Sequence, residues 1–117
     1  MRKRKYGNKD SISDDGTKFG SKKEKRRYDD LLLMQRAGEI KDLELQPRFS
    51  LIDSVKFAGT DRAKPAIRYF ADFAYTDTKT GQRIIEDVKS SITRKSPIYR
   101  MKKHMMLAIH GIEVKET

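Results

Sequence analysis

Ile67-Arg68-Tyr69-Phe70-Ala71-Asp72-Phe73-Ala74-Tyr75 places Ile67, Tyr69, Ala71, Phe73 and Tyr75 on one side of an extended chain, and Arg68, Phe70, Asp72 and Ala74 on the other. A two-residue period is that of a β-strand whose faces meet different surroundings. After the turn-rich residues 76–82 a second strand is expected from Arg83 to about Ser90. The connection is centred near residue 79, so hairpin partners should sum to 158 or 159. On the latter register Asp72 faces Asp87, Phe70 faces Lys89 and Ala74 faces Ile85. Asp72, Asp87 and Lys89 then share one face, while Glu86 points away with Ile84 and Val88.

Working outward from this hairpin, a helix is expected from Ser21. That serine is followed three residues on by Glu24, as in a capping box, and Gly38 stands where a glycine would end the helix. Glu24, Tyr28, Leu31, Leu32 and Gln35 recur on one helical face. Residues 43–57 read as extended, with Pro47 fitting an edge or a bulge, and residues 59–65 as a polar loop. Beyond the hairpin, Ser96-Pro97 opens a second helix with a cap and a first-turn proline. Ile98, Met101, Met105, Ala108 and Ile109 are its expected buried stripe, Gly111 its stop, and residues 112–115 a final strand. Asp15-Gly16 suggests a short hairpin before the first helix, and residues 1–10 a flexible basic arm ahead of a single domain over 11–117. The order implies an α/β fold, a mixed central sheet flanked by helices.

A chain of 117 residues supports one core and one site. It has no cysteine, so disulfides, thiolate zinc sites and thiol nucleophiles are excluded. The longest apolar runs, residues 31–34 and 105–109, fall far short of the roughly 20 residues of a membrane helix, and no signal-peptide pattern precedes them. A soluble, cytoplasmic protein is expected, with no membrane partner.

Net charge is +10 and unevenly spread. Residues 1–27 hold eleven Lys or Arg against four acids, and residues 91–104 hold five with no acid. Two basic blocks around a near-neutral middle form an electrostatic footprint for a polyanion, since phosphate contacts release counterions. Arg2, Lys3, Arg4 and Lys5 in the arm, and Arg94, Lys95, Arg100, Lys102 and Lys103 beside the second helix, are the candidate DNA contacts.

Two carboxylates opposed across a strand pair repel each other and call for compensation. Magnesium takes one or two carboxylates, keeps water and accepts phosphate oxygens, so Asp72 and Asp87 are candidate ligands of Mg2+ or Mn2+. Lys89 would position the attacking water or stabilise charge on phosphate. The alternative is a pair of partly exposed aspartates with Lys89 as a salt-bridge partner. Glu24 is either a cap or a site residue, because its carboxylate cannot fill both roles. Gln46 is a possible cleft residue. His104 and His110 have no partner at ligand spacing.

Asp72 followed by Asp87-Val88-Lys89 resembles the core motif of the PD-(D/E)xK nuclease superfamily, with Ala71 in place of the motif's proline and Asp as the second acid. The resemblance extends in order over Ser21-Lys22-Lys23-Glu24, Leu45-Gln46-Pro47, Tyr69-Phe70-Ala71-Asp72-Phe73 and Glu86-Asp87-Val88-Lys89. The whole looks like small phage-encoded proteins grouped with Holliday-junction resolvases and phage-type endonuclease I, and is also similar to transposon-end-cutting subunits. The resemblance implies a restriction-endonuclease-like core, Mg2+ or Mn2+ at Asp72 and Asp87, an assisting Lys89 and a first-helix acid matched by Glu24. It further implies a homodimer that cuts branched DNA, in a host's cytoplasm if phage-encoded. A linear-DNA or transposon-end nuclease, and a non-catalytic nucleic-acid-binding module, are the alternatives.

Overall fold

A computed structural model describes residues 11–12 and 18–117, with side chains from Phe19 onward. The expected arm, with Arg2, Lys3, Arg4 and Lys5, and the Asp15-Gly16 turn lie outside the described residues. β1 (Ser11–Ile12) pairs antiparallel with β2 (Lys18–Phe19), the short hairpin expected ahead of the first helix.

α1 (Lys22–Arg36) begins where its cap predicts: Ser21 Oγ accepts the Glu24 amide at 3.1 Å. It ends at Ala37, followed by Gly38 at φ 79°, a backbone state that glycine reaches without a Cβ clash. Tyr28 and Leu31 are its buried residues, and the Phe19 ring packs on Tyr28 with centroids 4.8 Å apart.

The two long extended stretches both break. Residues 43–57 divide at Gln46-Pro47 into β3 (Ile40–Leu45) and β4 (Arg48–Ile52), which belong to different sheets. Proline has no amide to give a ladder, and Gln46 adopts φ 49°, so the strand cannot run through. Residues 67–75, expected as one strand, divide at Ala71-Asp72 into β5 (Ile67–Phe70) and β6 (Phe73–Asp77). The breaks hold each other: Gln46 N–H donates to the Asp72 carbonyl at 2.9 Å, and Ala71 N–H to the Pro47 carbonyl at 3.1 Å. Alternation alone did not reveal this, because both halves keep the period.

β7 (Arg83–Asp87), α2 (Ser91–Arg94), α3 (Pro97–His110) and β8 (Lys115–Glu116) complete the chain. One sheet has the order β3-β6-β7-β8, with β8 parallel to β7 so that Asp87 lies opposite Glu116. A separate antiparallel pair joins β4 to β5, with Arg48 opposite Phe70, Phe49 opposite Tyr69 and Ser50 opposite Arg68. The fold is α/β, a mixed sheet and an antiparallel pair flanked by helices.

The chain forms two compact units. One comprises the described residues up to Leu43 with Tyr75–Arg83, and its buried side chains include Phe19, Tyr28, Leu31, Ile40 and Tyr75. The other comprises Glu44–Ala74 and Ile84–Thr117, whose core joins Leu51, Tyr69, Ala71, Ala74, Ile85, Tyr99, Met106 and Val114.

In this second unit α3 packs on β4 and β5. Ser96 caps the helix, Pro97 lies in its first turn and Gly111 ends it at φ 68°. Its expected stripe is wrong by a rotation: Ile98, Met101 and Ile109 are 51–69% exposed and Ala108 is exposed, whereas Tyr99 and Met106 are buried and Met105 is half-buried. Apolar residues surround this helix, so periodicity does not select a face. Tyr99 does, because its ring packs beside Tyr69 and its hydroxyl finds a partner in β8. His110 lies at the surface, bonded to the Ser50 carbonyl at 2.8 Å rather than to solvent alone. Among the described residues no helix is long and apolar enough to cross a membrane.

Candidate functional site

Asp72 lies in the break between β5 and β6, and the break aims it. At the turn end of the hairpin Asp77 N–H donates to Gln82 O, a sum of 159; at the other end Asp72 N–H donates to Glu86 O at 3.1 Å, a sum of 158. The register that would set Asp72 opposite Asp87 therefore holds only at the turn end, and at Asp72 the pairing has slipped by one residue. Such a one-residue slip leaves an extra residue on one strand and redirects its side chain. The Asp72 carboxylate turns toward the start of the next segment, where its Oδ2 accepts the Val88 amide at 2.7 Å.

Asp87, the last residue of β7, is fully buried. Its Oδ2 accepts the Tyr69 hydroxyl and lies 3.3 Å from Lys89 Nζ. Its Oδ1 is buried and has no hydrogen-bond partner among the described residues. Burial pushes the Asp87 carboxyl up to about 7, and the Asp72 carboxyl, within hydrogen-bond reach, pushes the same way; the Tyr69 hydroxyl and the Lys89 charge only partly oppose them. Two carboxyl groups so placed have no donor between them unless one holds a proton or a cation intervenes. The Tyr69 hydroxyl is held well above its ordinary range, first by burial and then by this bond, and so remains a donor.

Lys89 follows Asp87 by two residues. Its Nζ lies 4.9 Å from the centroid of the Tyr99 ring, a cation–π contact on one side with Asp87 on the other. The Tyr99 hydroxyl donates to Glu116 Oε2 at 2.6 Å, and Lys103 Nζ lies 3.4 Å from the same oxygen. The Tyr99 bond, foremost, keeps the Glu116 carboxyl below its ordinary range. Asp87, Lys89, Glu116 and Lys103, from separate parts of the chain, thus bring acids and cations together around Tyr99.

An unpartnered buried carboxylate oxygen beside a second carboxyl group calls for a proton or a cation, and Asp72 and Asp87 are the residues that could hold either. Among the described residues no three His, Cys, Asp or Glu side chains come together as a cation site. Two carboxylates suit magnesium, which fills its remaining positions with water and phosphate oxygens.

Of the other expected site residues, Glu24 is engaged in its helix cap. Its Oε2 accepts the Gly20 amide at 3.4 Å, one residue ahead of the serine amide that a capping box predicts. Gln46 joins the site through its backbone bond to Asp72, with its side chain exposed. Arg94, Lys95 and Arg100 are exposed, whereas Lys102 and Lys103 are half-buried. Arg94, Arg100 and Lys103 line a pocket of about 310 Å³ shared with Glu113 and Glu116, so this basic block has acidic neighbours that its sequence run does not show.

Residues 3–116 match the family described as "Protein of unknown function (DUF1064)". The chain belongs to the DUF1064 family. No curated protein and no solved structure matches it. The site of this DUF1064 member is therefore understood from its own geometry.

Sequence reasoning missed Tyr69, Tyr99 and Glu116 as parts of that site. Tyr69 stood in an apolar stripe, where its ring belongs; the signal it carried was a hydroxyl that must find a partner when buried. Glu116 and Tyr99 are 17 residues apart and meet only because β8 returns alongside β7. Nothing local to either announces the other.

Proposed function

We propose that this DUF1064 protein is a metal-dependent DNA nuclease whose site is Asp72, Asp87 and Lys89. The observation that carries the reading is the buried, unpartnered Asp87 Oδ1 within reach of a second carboxyl group and flanked by a lysine. A module that only bound nucleic acid would gain nothing from setting a buried acid against a second, half-buried one next to a phosphate-binding surface. When bound, Mg2+ or Mn2+ supplies Lewis acidity for activating water and neutralises charge on the phosphate. The chain's own residues do the rest. Val88 N–H orients Asp72, Tyr69 O–H orients Asp87, and Tyr99 holds Lys89 where its charge can stabilise the pentavalent phosphate as the phosphodiester is hydrolysed.

Glu24 takes no part in this reading, because a cap occupies its carboxylate. The basic residues 91–104 and the N-terminal arm supply phosphate contacts. Branched DNA as substrate, homodimeric action and a cytoplasmic setting follow from the likeness of the motif order to junction-resolving enzymes, since resolving a junction requires two coordinated nicks. Incubation with a four-way junction, a linear duplex and a single strand, each with Mg2+ and with EDTA, tests the proposal. Metal-dependent cleavage that is fastest on the junction is the expected result. Cleavage of linear duplex alone would move the protein to the linear-DNA or transposon-end class, and tight binding without cleavage in Mg2+ or Mn2+ would leave a binding module.

A further inference from the structure

The antiparallel pair β4–β5 has one face in the core and one in solvent, and its register says which residues lie on each. Phe49 and Tyr69 are opposed, as are Arg48 and Phe70, and Ser50 and Arg68. Tyr69 is buried and Phe49 half-buried, so the period-two rule sends Arg48, Ser50, Arg68 and Phe70 outward together. All four are exposed, Phe70 to 55%. An exposed phenylalanine directly across the pair from one arginine, and two residues along the strand from another, is a combination the core does not require. Next to it runs a groove of about 530 Å³, lined by Ile67 and Phe70 and by Ile98 and Met101 of α3. Arg68 and Lys102 also line this groove, and no acid does.

We infer that this outward face, Phe70 between Arg48 and Arg68 and continuous with the groove against α3, is a stacking platform for unpaired nucleotides. The inference rests on the proposed reading only in that the protein binds DNA. An exposed aromatic ring beside a groove lined by cations and by no acid matches a single strand on both counts, because every base presents a π face and every link a negative charge. A duplex offers charge but keeps its bases stacked inside. A second copy of this chain offers apolar surface but brings Arg48, Arg68 and Lys102 against themselves, in a molecule already carrying +10. Phe70 also precedes Asp72 by two residues, at most about 7 Å of chain. The platform would select substrates that carry unpaired bases.

The protein contains no tryptophan, so F70W introduces a single reporter at the platform. In EDTA, an oligothymidylate of about 15 nucleotides should quench its emission on binding, whereas a blunt hairpin duplex and heparin should not. F70A should lower oligothymidylate affinity roughly ten- to hundred-fold and leave duplex affinity unchanged. Phe70 is outside the core, so both variants should keep the wild-type melting temperature. If F70A binds both DNAs as the wild type does, or if F70W is not quenched by saturating oligothymidylate, the platform is overturned while the DNA-binding reading stands. Wild-type protein that binds no DNA of either form overturns both. A tryptophan emission maximum that shifts to the blue as the sedimentation coefficient rises with protein concentration, in the absence of DNA, would show a second copy covering this face, and would also overturn the platform.

Discussion

Glu24 and Asp87 are both acids that the sequence marks as candidate site residues, yet the fold treats them oppositely. Glu24, half-buried at the start of α1, has the Gly20 amide for its carboxylate and the Ser21 hydroxyl for its own amide. Asp87 lies fully buried at the end of β7, with one oxygen held by Tyr69 and Lys89 and the other without a partner. A helix N-terminus has spare donors and therefore tolerates an anion; a strand end packed in a core has none left over. An acid's role follows from the donors its surroundings leave available, which explains why a satisfied Glu24 reads as structure and an unsatisfied Asp87 as a site.

The largest effect that this contrast predicts is on cleavage by D87N. The substitution keeps volume and removes the charge, so metal-dependent cleavage should fall by several orders of magnitude. DNA affinity measured in EDTA should survive, and melting temperature at pH 8 should not drop, because removing the buried charge offsets the loss of its ion pair with Lys89. Normal cutting by D87N in a gel-based assay would erase the distinction between the two acids.

Next comes the response of stability to pH. The Asp87 carboxyl is raised from 3.8 to about 7 in the folded protein, so the folded state binds the proton more tightly than the unfolded chain. Its contribution to stability is therefore fully present below about pH 4 and is lost as pH rises through about 7. Thermal melts in EDTA should show this contribution shrinking from pH 5 to pH 8. Mg2+ should restore stability at pH 8 and do little at pH 5, at roughly 4–8 °C for each kcal/mol regained. In D87N both the slope and the Mg2+ response should flatten; a wild type whose melting is indifferent to Mg2+ at pH 8 would count against the cation.

The helix end should yield smaller effects of a different kind. S21A removes the cap acceptor and should cost about 1 kcal/mol of stability by denaturant titration, with cleavage unaffected. E24Q should cost less, about 0.5 kcal/mol, because an amide oxygen still accepts from Gly20. Its cleavage rate should stay near wild type. A loss of orders of magnitude in E24Q, without a matching loss of stability, would place Glu24 among the catalytic acids and break the comparison outright.

Much of this was legible residue by residue. Ser21, Gly38, Ser96-Pro97 and Gly111 act through bonds to neighbours within a few positions, and each cap and stop stands where those residues predict. A short connection made it foreseeable that Asp72 and Asp87 lie near each other, but at Asp72 the register is one residue off the pairing that sets the two directly opposite. What was not legible was that the strand carrying Asp72 breaks before it. That break depends on Gln46-Pro47, 25 residues earlier, bonding to Ala71 and Asp72 across the fold. The α3 stripe failed for a related reason: apolar residues on every side leave the helix free to rotate until tertiary partners choose.

The sequence alone determined the type of nearly every element, the ends of the two long helices, the basic blocks and the acids worth watching, because these rest on local periodicity, capping and charge. Tertiary structure alone decided that Tyr69 holds Asp87, that Tyr99 holds Lys89 and that Phe70 faces solvent. Those outcomes depend on which surfaces are left when β4 covers β5 and β8 returns beside β7, and the free energy of burying a side chain is a property of its neighbours rather than of the residue itself.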